Sequence, residues 1–128
     1  MNVPDDLLYT KSHEWVRMDG DVATVGVTDF AQDQLSDVTF IELPAVGDQV
    51  SAEEEVAVVE SVKAASDVYA PMTGVICQVN HRLETTPDIL NHDPYGEGWL
   101  FKIKISDSSE VEGFVDAAAY SETLPEMD

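Results

Sequence analysis

The chain has 128 residues, 44% of them hydrophobic, and carries 26 Asp and Glu against 6 Lys and Arg for a formal net charge of −20. Nucleic acid and anionic lipid are excluded as natural partners, because the leading attraction to both requires a basic surface. The apolar content suffices for one ordinary core, so a single domain over 1–128 is expected, and no apolar run is long enough to span a membrane.

The N-terminal Met1-Asn2-Val3-Pro4-Asp5-Asp6 is acidic and lacks the basic, apolar or Arg-rich character of a signal or transit peptide. Bacterial or archaeal cytoplasm is the expected location. His13–Met18 and Val22–Val27 flank Asp19-Gly20-Asp21, and Asp-Gly marks a hairpin turn that needs positive φ. Asp29 with Gln32 three residues on predicts a capped short helix ending at Gln34 or Leu35. Val38–Leu43 reads as a strand stopped by Pro44. Gly47-Asp48 makes a turn, and the acidic Glu53-Glu54-Glu55 reads as a solvated turn leading into the centre of the chain.

That centre is a predicted β-hairpin over 58–70. Val58 and Val59 on one arm and Val68 and Tyr69 on the other are strand-forming, and the small and polar residues between them suit a turn that presents Lys63. An exposed lysine near a turn is ordinarily just a solvated charge. Here it is one of only four lysines and sits centrally between two strong strand candidates, which permits a carrier role without identifying one. Beyond Pro71, Val75–Val79 is a strand in which Cys77 alternates with Val75 and Val79, so the only cysteine is expected as a small core residue. Gly47–Val50 and Gly74–Asn80 are turn-then-strand units placed similarly about the hairpin, a weak echo of twofold organisation. Thr86–Leu90 predicts one helical turn with Pro87 at a tolerated first position. Trp99, Phe101, Ile103 and Ile105 alternate along a last strand. Ser109 and Glu112 form a capping-box pattern, and Val111, Phe114, Val115, Ala118 and Ala119 predict a C-terminal amphipathic helix over about 109–120. Many short strands with small helices make the fold class mainly β.

Catalytic and metal motifs fail on context. His13, His81 and His92 are scattered, none forms an i, i+4 pair, and one cysteine supplies no ligand spacing, so no metal is expected. Gly96-Glu97-Gly98 precedes a strand and not a helix N-terminus, which removes a phosphate site. No set of general base, nucleophile and oxyanion donors can be assembled, and the chain is read as a non-enzyme.

Several motifs together are more specific than the lysine alone. Glu60-Ser61-Val62-Lys63 with Ser66-Asp67-Val68-Tyr69-Ala70-Pro71 resembles the lipoylation hairpin of the H-protein family of the glycine cleavage system. So do His13-Glu14-Trp15, Val25-Gly26-Val27-Thr28-Asp29-Phe30-Ala31, Phe40-Ile41-Glu42-Leu43-Pro44, Asn91–Leu100 and Ala117–Tyr120, in the same order over nearly the whole chain. Ala52-Glu53 departs from the resemblance, since a glycine is expected there. The resemblance implies a barrel-sandwich hybrid of the lipoyl/biotinyl-carrier type, with lipoate in amide linkage to Lys63. It implies a shuttle that takes an aminomethyl group from glycine decarboxylase (P-protein) to aminomethyltransferase (T-protein) and is reoxidised by dihydrolipoyl dehydrogenase (L-protein). A lipoate ligase or lipoyl transferase would install the arm, with Glu60 and Asp67 as candidate recognition residues, and the carrier is expected to be monomeric.

The loaded arm would fold into a cleft where Ser12, Glu14 and Asp67 hold its amine. For Ser12 and Glu14 the competing explanation is ordinary surface polarity. A lipoyl protein of the same fold serving another system is the alternative among carriers. Biotin carriage is disfavoured because Val62 and Ala64 stand where flanking methionines are expected. An unmodified interaction module would keep Lys63 bare.

Overall fold

A computed structural model describes residues 2–124. Two antiparallel sheets are built from nine short strands. The larger takes β1 (Leu8–Tyr9), β2 (Glu14–Asp19), β3 (Val22–Val27), β5 (Gln49–Val50), β8 (Gly74–Val79) and β9 (Phe101–Ile105) in the order β1-β2-β3-β9-β8-β5. The smaller is β4 (Val38–Glu42), β6 (Glu55–Ser61) and β7 (Ala65–Tyr69), with β6 central. Alternation along the strands sends one set of side chains inward from each sheet. Val25, Val27, Ile76, Phe101 and Ile103 of the larger sheet meet Val38, Ile41, Ala57, Val59 and Val68 of the smaller in one apolar cluster. The result is the barrel-sandwich of the lipoyl type, mainly β with short helices.

The β2–β3 hairpin turns through Gly20 and Asp21, and Gly20 takes φ +62°, as the first position of a tight two-residue loop requires. Gly26 opposes Trp15 across the same pair so closely that a Cβ there would lie 2.6 Å from the indole. Helix α1 (Asp29–Leu35) begins one residue earlier than the sequence suggested: Thr28 is the N-cap, its hydroxyl accepting from the Ala31 N–H. Asp29 instead takes a side-chain bond from Gln32 at 2.7 Å.

Several other sequence expectations meet the structure differently. The C-terminal helix over about 109–120 is two pieces, a 3-10 helix Ser108–Gly113 and α4 (Ala117–Thr123). Between them Val115 pairs with Tyr9 as an extended bridge, so the chain must leave helical geometry there. The caps are Asp107 and Asp116 and not Ser109, because each aspartate reaches an unpaired N–H of the turn that follows it. Cys77 is exposed, because β8 and β9 shift register between Ile76 and Gln78, and that bulge puts Cys77 on the opposite side from Val79. Trp99 precedes β9 and is half-buried, with the Lys102 ammonium 5.1 Å from its ring centre. The turn expected over Thr86–Leu90 forms, the Thr86 and Pro87 carbonyls each accepting at 3.2 Å from the N–H groups of Ile89 and Leu90, and it runs on into α3 (Ile89–His92); a further turn, α2 (Arg82–Thr85), seats Leu83 in the core.

Candidate functional site

The β6–β7 hairpin closes through Val62, Lys63 and Ala64. Ser61 fixes this tip: its N–H donates to the Ala64 carbonyl at 2.8 Å, and its hydroxyl accepts from the N–H groups of Lys63 (3.2 Å) and Ala64 (3.1 Å). The Val62 N–H donates to the Asp37 carbonyl at 3.1 Å, tying the tip to the chain just before β4. Lys63 is thus exposed on a loop whose backbone is held at both ends, and among the described residues it makes no ion pair. No group of three or more His, Cys, Asp or Glu among the described residues could hold a metal ion.

Down β7 from the tip lies a hollow of about 170 Å³ whose lining includes all three residues expected to hold a loaded arm: Ser12, Glu14 and Asp67. Its other walls are largely apolar, among them Val27, Phe30, Leu35, Val59 and Val68. A dry cavity of about 150 Å³ can take a six-membered ring, so this space suits a small ring with a polar group at its end. Ser66 is also in the lining and stands three residues after Lys63, at most about 11 Å away along the chain. A larger hollow of about 430 Å³ lies on the other flank of Ser12 and Glu14, bordered by Lys11, Tyr69, Glu110 and Phe114; Asp67 does not reach it.

Glu14 is 2% exposed, which removes surface polarity as its explanation. One carboxylate oxygen accepts from the hydroxyls of Thr10 (2.6 Å) and Ser12 (2.5 Å), and the other faces the Tyr69 N–H at 3.4 Å. Burial pushes its pKa up, opposed by those hydrogen bonds. The second oxygen, with one long bond, retains capacity for a further donor. Ser12 is exposed at the mouth, and Asp67 is exposed on the rim, opposite Val58 in the sheet register. Glu60 lies outside the hollow, on the outer face of the smaller sheet opposite Phe40 and Ala65.

Sequence reasoning missed the residues that hold Glu14 in place. Thr10 both donates to its carboxylate and accepts from its N–H at 3.1 Å. His13, at φ +70°, shares a 2.7 Å hydrogen bond with the Tyr120 hydroxyl, which also meets Thr28 Oγ1 at 2.8 Å. Burial lowers the His13 pKa, favouring the neutral ring against Phe30 and Tyr120. Hydroxyls four and two residues before a glutamate, Thr10-x-Ser12-x-Glu14, were the available signal.

A model of the glycine cleavage H-protein family matches residues 7–127. The chain belongs to the glycine cleavage H-protein family. It is 54% identical over 121 residues to the glycine cleavage system H protein of Marinobacter nauticus, covering 94% of this chain and 93% of the relative. The corresponding protein of Thermus thermophilus is 53% identical over 124 residues, 97% of each chain. A crystal structure of the H protein from Mycobacterium marinum superposes with a TM-score of 0.83 at 36% identity, over 94% of this chain and 97% of that one. As an H-protein, the chain is a non-catalytic carrier with covalently attached lipoate, shuttling the aminomethyl group between the P and T proteins and reoxidised by the L protein. The residues present fit that group: an exposed lysine on a braced tip, and beside it an apolar hollow ending at a buried carboxylate.

Proposed function

We propose that Lys63 carries the lipoyl group, and that Ser12, Glu14 and Asp67 form the seat for the amine of the carried aminomethyl group. The observation that carries this reading is the continuity between the Lys63 tip and the hollow in which Glu14 is buried. Lipoate supplies a dithiolane that is at once an acceptor and a two-electron redox couple, so one tethered group links decarboxylation to oxidation.

The protein's own part is positional. Ser61 stiffens the turn so that Lys63 projects from a defined point, and tethering keeps the local concentration of the arm high once a partner docks. Thr10 and Ser12 orient the Glu14 carboxylate, leaving its second oxygen for a cationic amine. Asp67 adds negative charge at the rim, while Phe30, Val59 and Val68 exclude water from a group prone to hydrolysis. A lipoate ligase or lipoyl transferase installs the arm, with Glu60 and Asp67 contacting it. The chain acts as one lipoyl-carrier domain over 1–128, as a monomer in the cytoplasm; no helix among the described residues is long and apolar enough to cross a membrane.

Intact mass after incubation with lipoate ligase, ATP and lipoate tests the attachment point. Wild type should gain one lipoyl group. Lys63→Arg should gain none while melting at the wild-type temperature, because a guanidinium keeps the charge but does not take the amide link. A lipoylated Lys63→Arg chain would move the attachment to Lys11, Lys102 or Lys104.

A further inference from the structure

Besides Ser12, Glu14 and Asp67, the hollow is lined by His13, a side chain that the proposed seat for the amine leaves unused. Its ring packs against Phe30, another wall residue, with ring centres 4.8 Å apart, and its Nδ1 shares the 2.7 Å hydrogen bond with the Tyr120 hydroxyl. Nε2 has no partner among the described residues. It is not sealed off either, because no side-chain nitrogen or oxygen among them is both buried and unpaired. The other polar groups of the lining are engaged or lie at the mouth: Ser12 donates to Glu14, and Gln34, Ser66 and Asp67 are exposed. His13 offers an uncommitted ring nitrogen from within the wall.

Whether that nitrogen donates or accepts follows from the buried chain of hydroxyls behind it. Thr28 is fully buried; its Oγ1 accepts from the Ala31 N–H at 3.2 Å and meets the Tyr120 hydroxyl at 2.8 Å. The Tyr120 oxygen is the side-chain acceptor available to the Thr28 proton. A buried donor without an acceptor carries its full desolvation penalty. Thr28 therefore donates to Tyr120, and the single Tyr120 proton goes to Nδ1 of His13. Burial keeps the ring neutral, so its one proton sits on Nε2. The opposite direction would put the ring proton on Nδ1 and strand the Thr28 hydroxyl.

We infer that the Nε2–H of His13 is a second anchor for the loaded arm, donating to the sulfur that the aminomethyl group leaves free. The inference rests on the hollow being the seat of that arm. When the disulfide of lipoate accepts the aminomethyl group, a C–S bond forms at one sulfur and the S–S bond breaks. Its electron pair stays on the other sulfur as a thiolate or, with a proton from solvent, a thiol. The seated end thus carries a donor, the ammonium, and an acceptor, the free sulfur. Ser12, Glu14 and Asp67 answer the first, and His13 answers the second. A closed dithiolane presents neither group, so both contacts favour the loaded arm over the empty one. Nε2–H and the arm's own ammonium draw the thiol's pKa down, while the Glu14 and Asp67 carboxylates push it up. Tyr120, behind His13, stays protonated because burial raises its pKa, and α1 brings no titratable side chain to the lining.

Proton–nitrogen correlation NMR on the unmodified chain reads the ring directly. The proton should sit on Nε2, and a proton on Nδ1 overturns the inference. A second measurement uses lipoylated, aminomethyl-loaded protein in a Cys77→Ser background, where the arm carries the only thiol. The pH midpoint for its alkylation by iodoacetamide should rise by about one pH unit in His13→Asn and return close to the wild-type value in His13→Gln. Asparagine tolerates the positive φ and keeps an acceptor for Tyr120 but gives up the nitrogen in the hollow, whereas glutamine puts an amide N–H back where Nε2 stood. An equal rise in both variants overturns the inference, since it would report disturbed packing. A midpoint unchanged in His13→Asn, with Glu14→Ala still shortening the half-life of the loaded form, overturns this inference alone. No effect of either variant on midpoint or half-life overturns the seat reading and this one with it.

Discussion

Glu14, in the proposed seat for the amine, is a single side chain that would set the conditions under which the carrier protects its load. Burial is the leading cause of its raised pKa, so ionised Glu14 is tolerated and not favoured in the empty hollow. The sign for stability follows. A carboxyl whose pKa is higher folded than unfolded holds its proton longer in the native state, so its contribution falls as pH rises from the unfolded value through the raised folded one. Glu14→Gln should remove that slope, and denaturant unfolding across this window should show the variant gaining on wild type as pH rises. The opposite holds for a seated cationic amine, which needs the carboxylate. The half-life of the aminomethyl-loaded protein should therefore shorten as pH drops below the raised Glu14 pKa, and shorten at all pH values in Glu14→Ala; an unchanged half-life in Glu14→Ala would remove Glu14 from the seat. Glu53 makes a different residue-scale point. It belongs to the pair Ala52-Glu53, where a glycine was expected, and takes φ +72°, while its N–H still bonds the Ala70 carbonyl at 2.7 Å. Left-handed backbone costs a non-glycine residue about 1–2 kcal/mol, partly offset by the greater unfolded-state freedom of glycine. Glu53→Gly should raise the stability by about 0.5–1 kcal/mol in urea unfolding, since the backbone bond survives the change.

At the scale of elements, the site is built from three segments far apart in sequence. The Thr10–Glu14 turn supplies the carboxylate, β7 the wall and rim, and α4 the brace through Tyr120. Tyr120 stacks on Tyr9 with ring centres 4.6 Å apart and holds both His13 and Thr28 through its hydroxyl. Tyr120→Phe should keep the stacking but release His13, whose φ of +70° depends on such restraint. A loss of about 1–2 kcal/mol in unfolding free energy is expected, with a shorter half-life of the loaded form and unchanged ligation at Lys63; equal losses in ligation would mean a general defect instead. The hairpins were legible in sequence because period-two alternation and the Asp-Gly turn are local signals: β2–β3 and β6–β7 fall where valines and turn residues put them. Cys77 was not legible, because one bulged residue reverses inside and outside without changing the composition of the strand. The C-terminal segment misled for a related reason. Its apolar residues do recur at helical spacing, but Val111 and Phe114 pack against Val16, Ala23 and Met72, whereas in α4 it is Ala117 and Tyr120 that join Leu7, Tyr9 and Trp15, and Ala118, expected on the apolar face, is exposed. Ser12, Glu14 and Asp67 were named as polar groups able to meet the amine of a sheltered arm, with no local signal for their burial; that Glu14 is buried depends on β7 lying across it, a long-range packing with no sequence period.

For the whole molecule, the dominant unspent quantity is charge. The formal net charge of −20 is offset by few contacts: among the described residues the ion pairs are His81–Glu84, His92–Asp88 and Arg82–Glu97, and only the last joins permanently charged groups. The remaining carboxylates repel one another over the surface, and the fold is held against that repulsion by the core between the sheets. Screening acts on this repulsion and on partner attraction with opposite consequences. The Debye length falls from about 30 Å at 0.01 M salt to about 3 Å at 1 M, so the thermal midpoint of the isolated carrier should climb across that range, most steeply at the low end where distant charges become decoupled. If the acidic surface also draws in basic docking patches, the association rate with glycine decarboxylase should fall over the same range while dissociation changes little. Stopped-flow association and thermal melts on one salt series measure both. A rising midpoint with a flat association rate would assign the acidity to tolerance of high salt, whereas a rate falling by more than tenfold would assign it to steering, with the carrier surrendering stability at low salt to reach its partners faster.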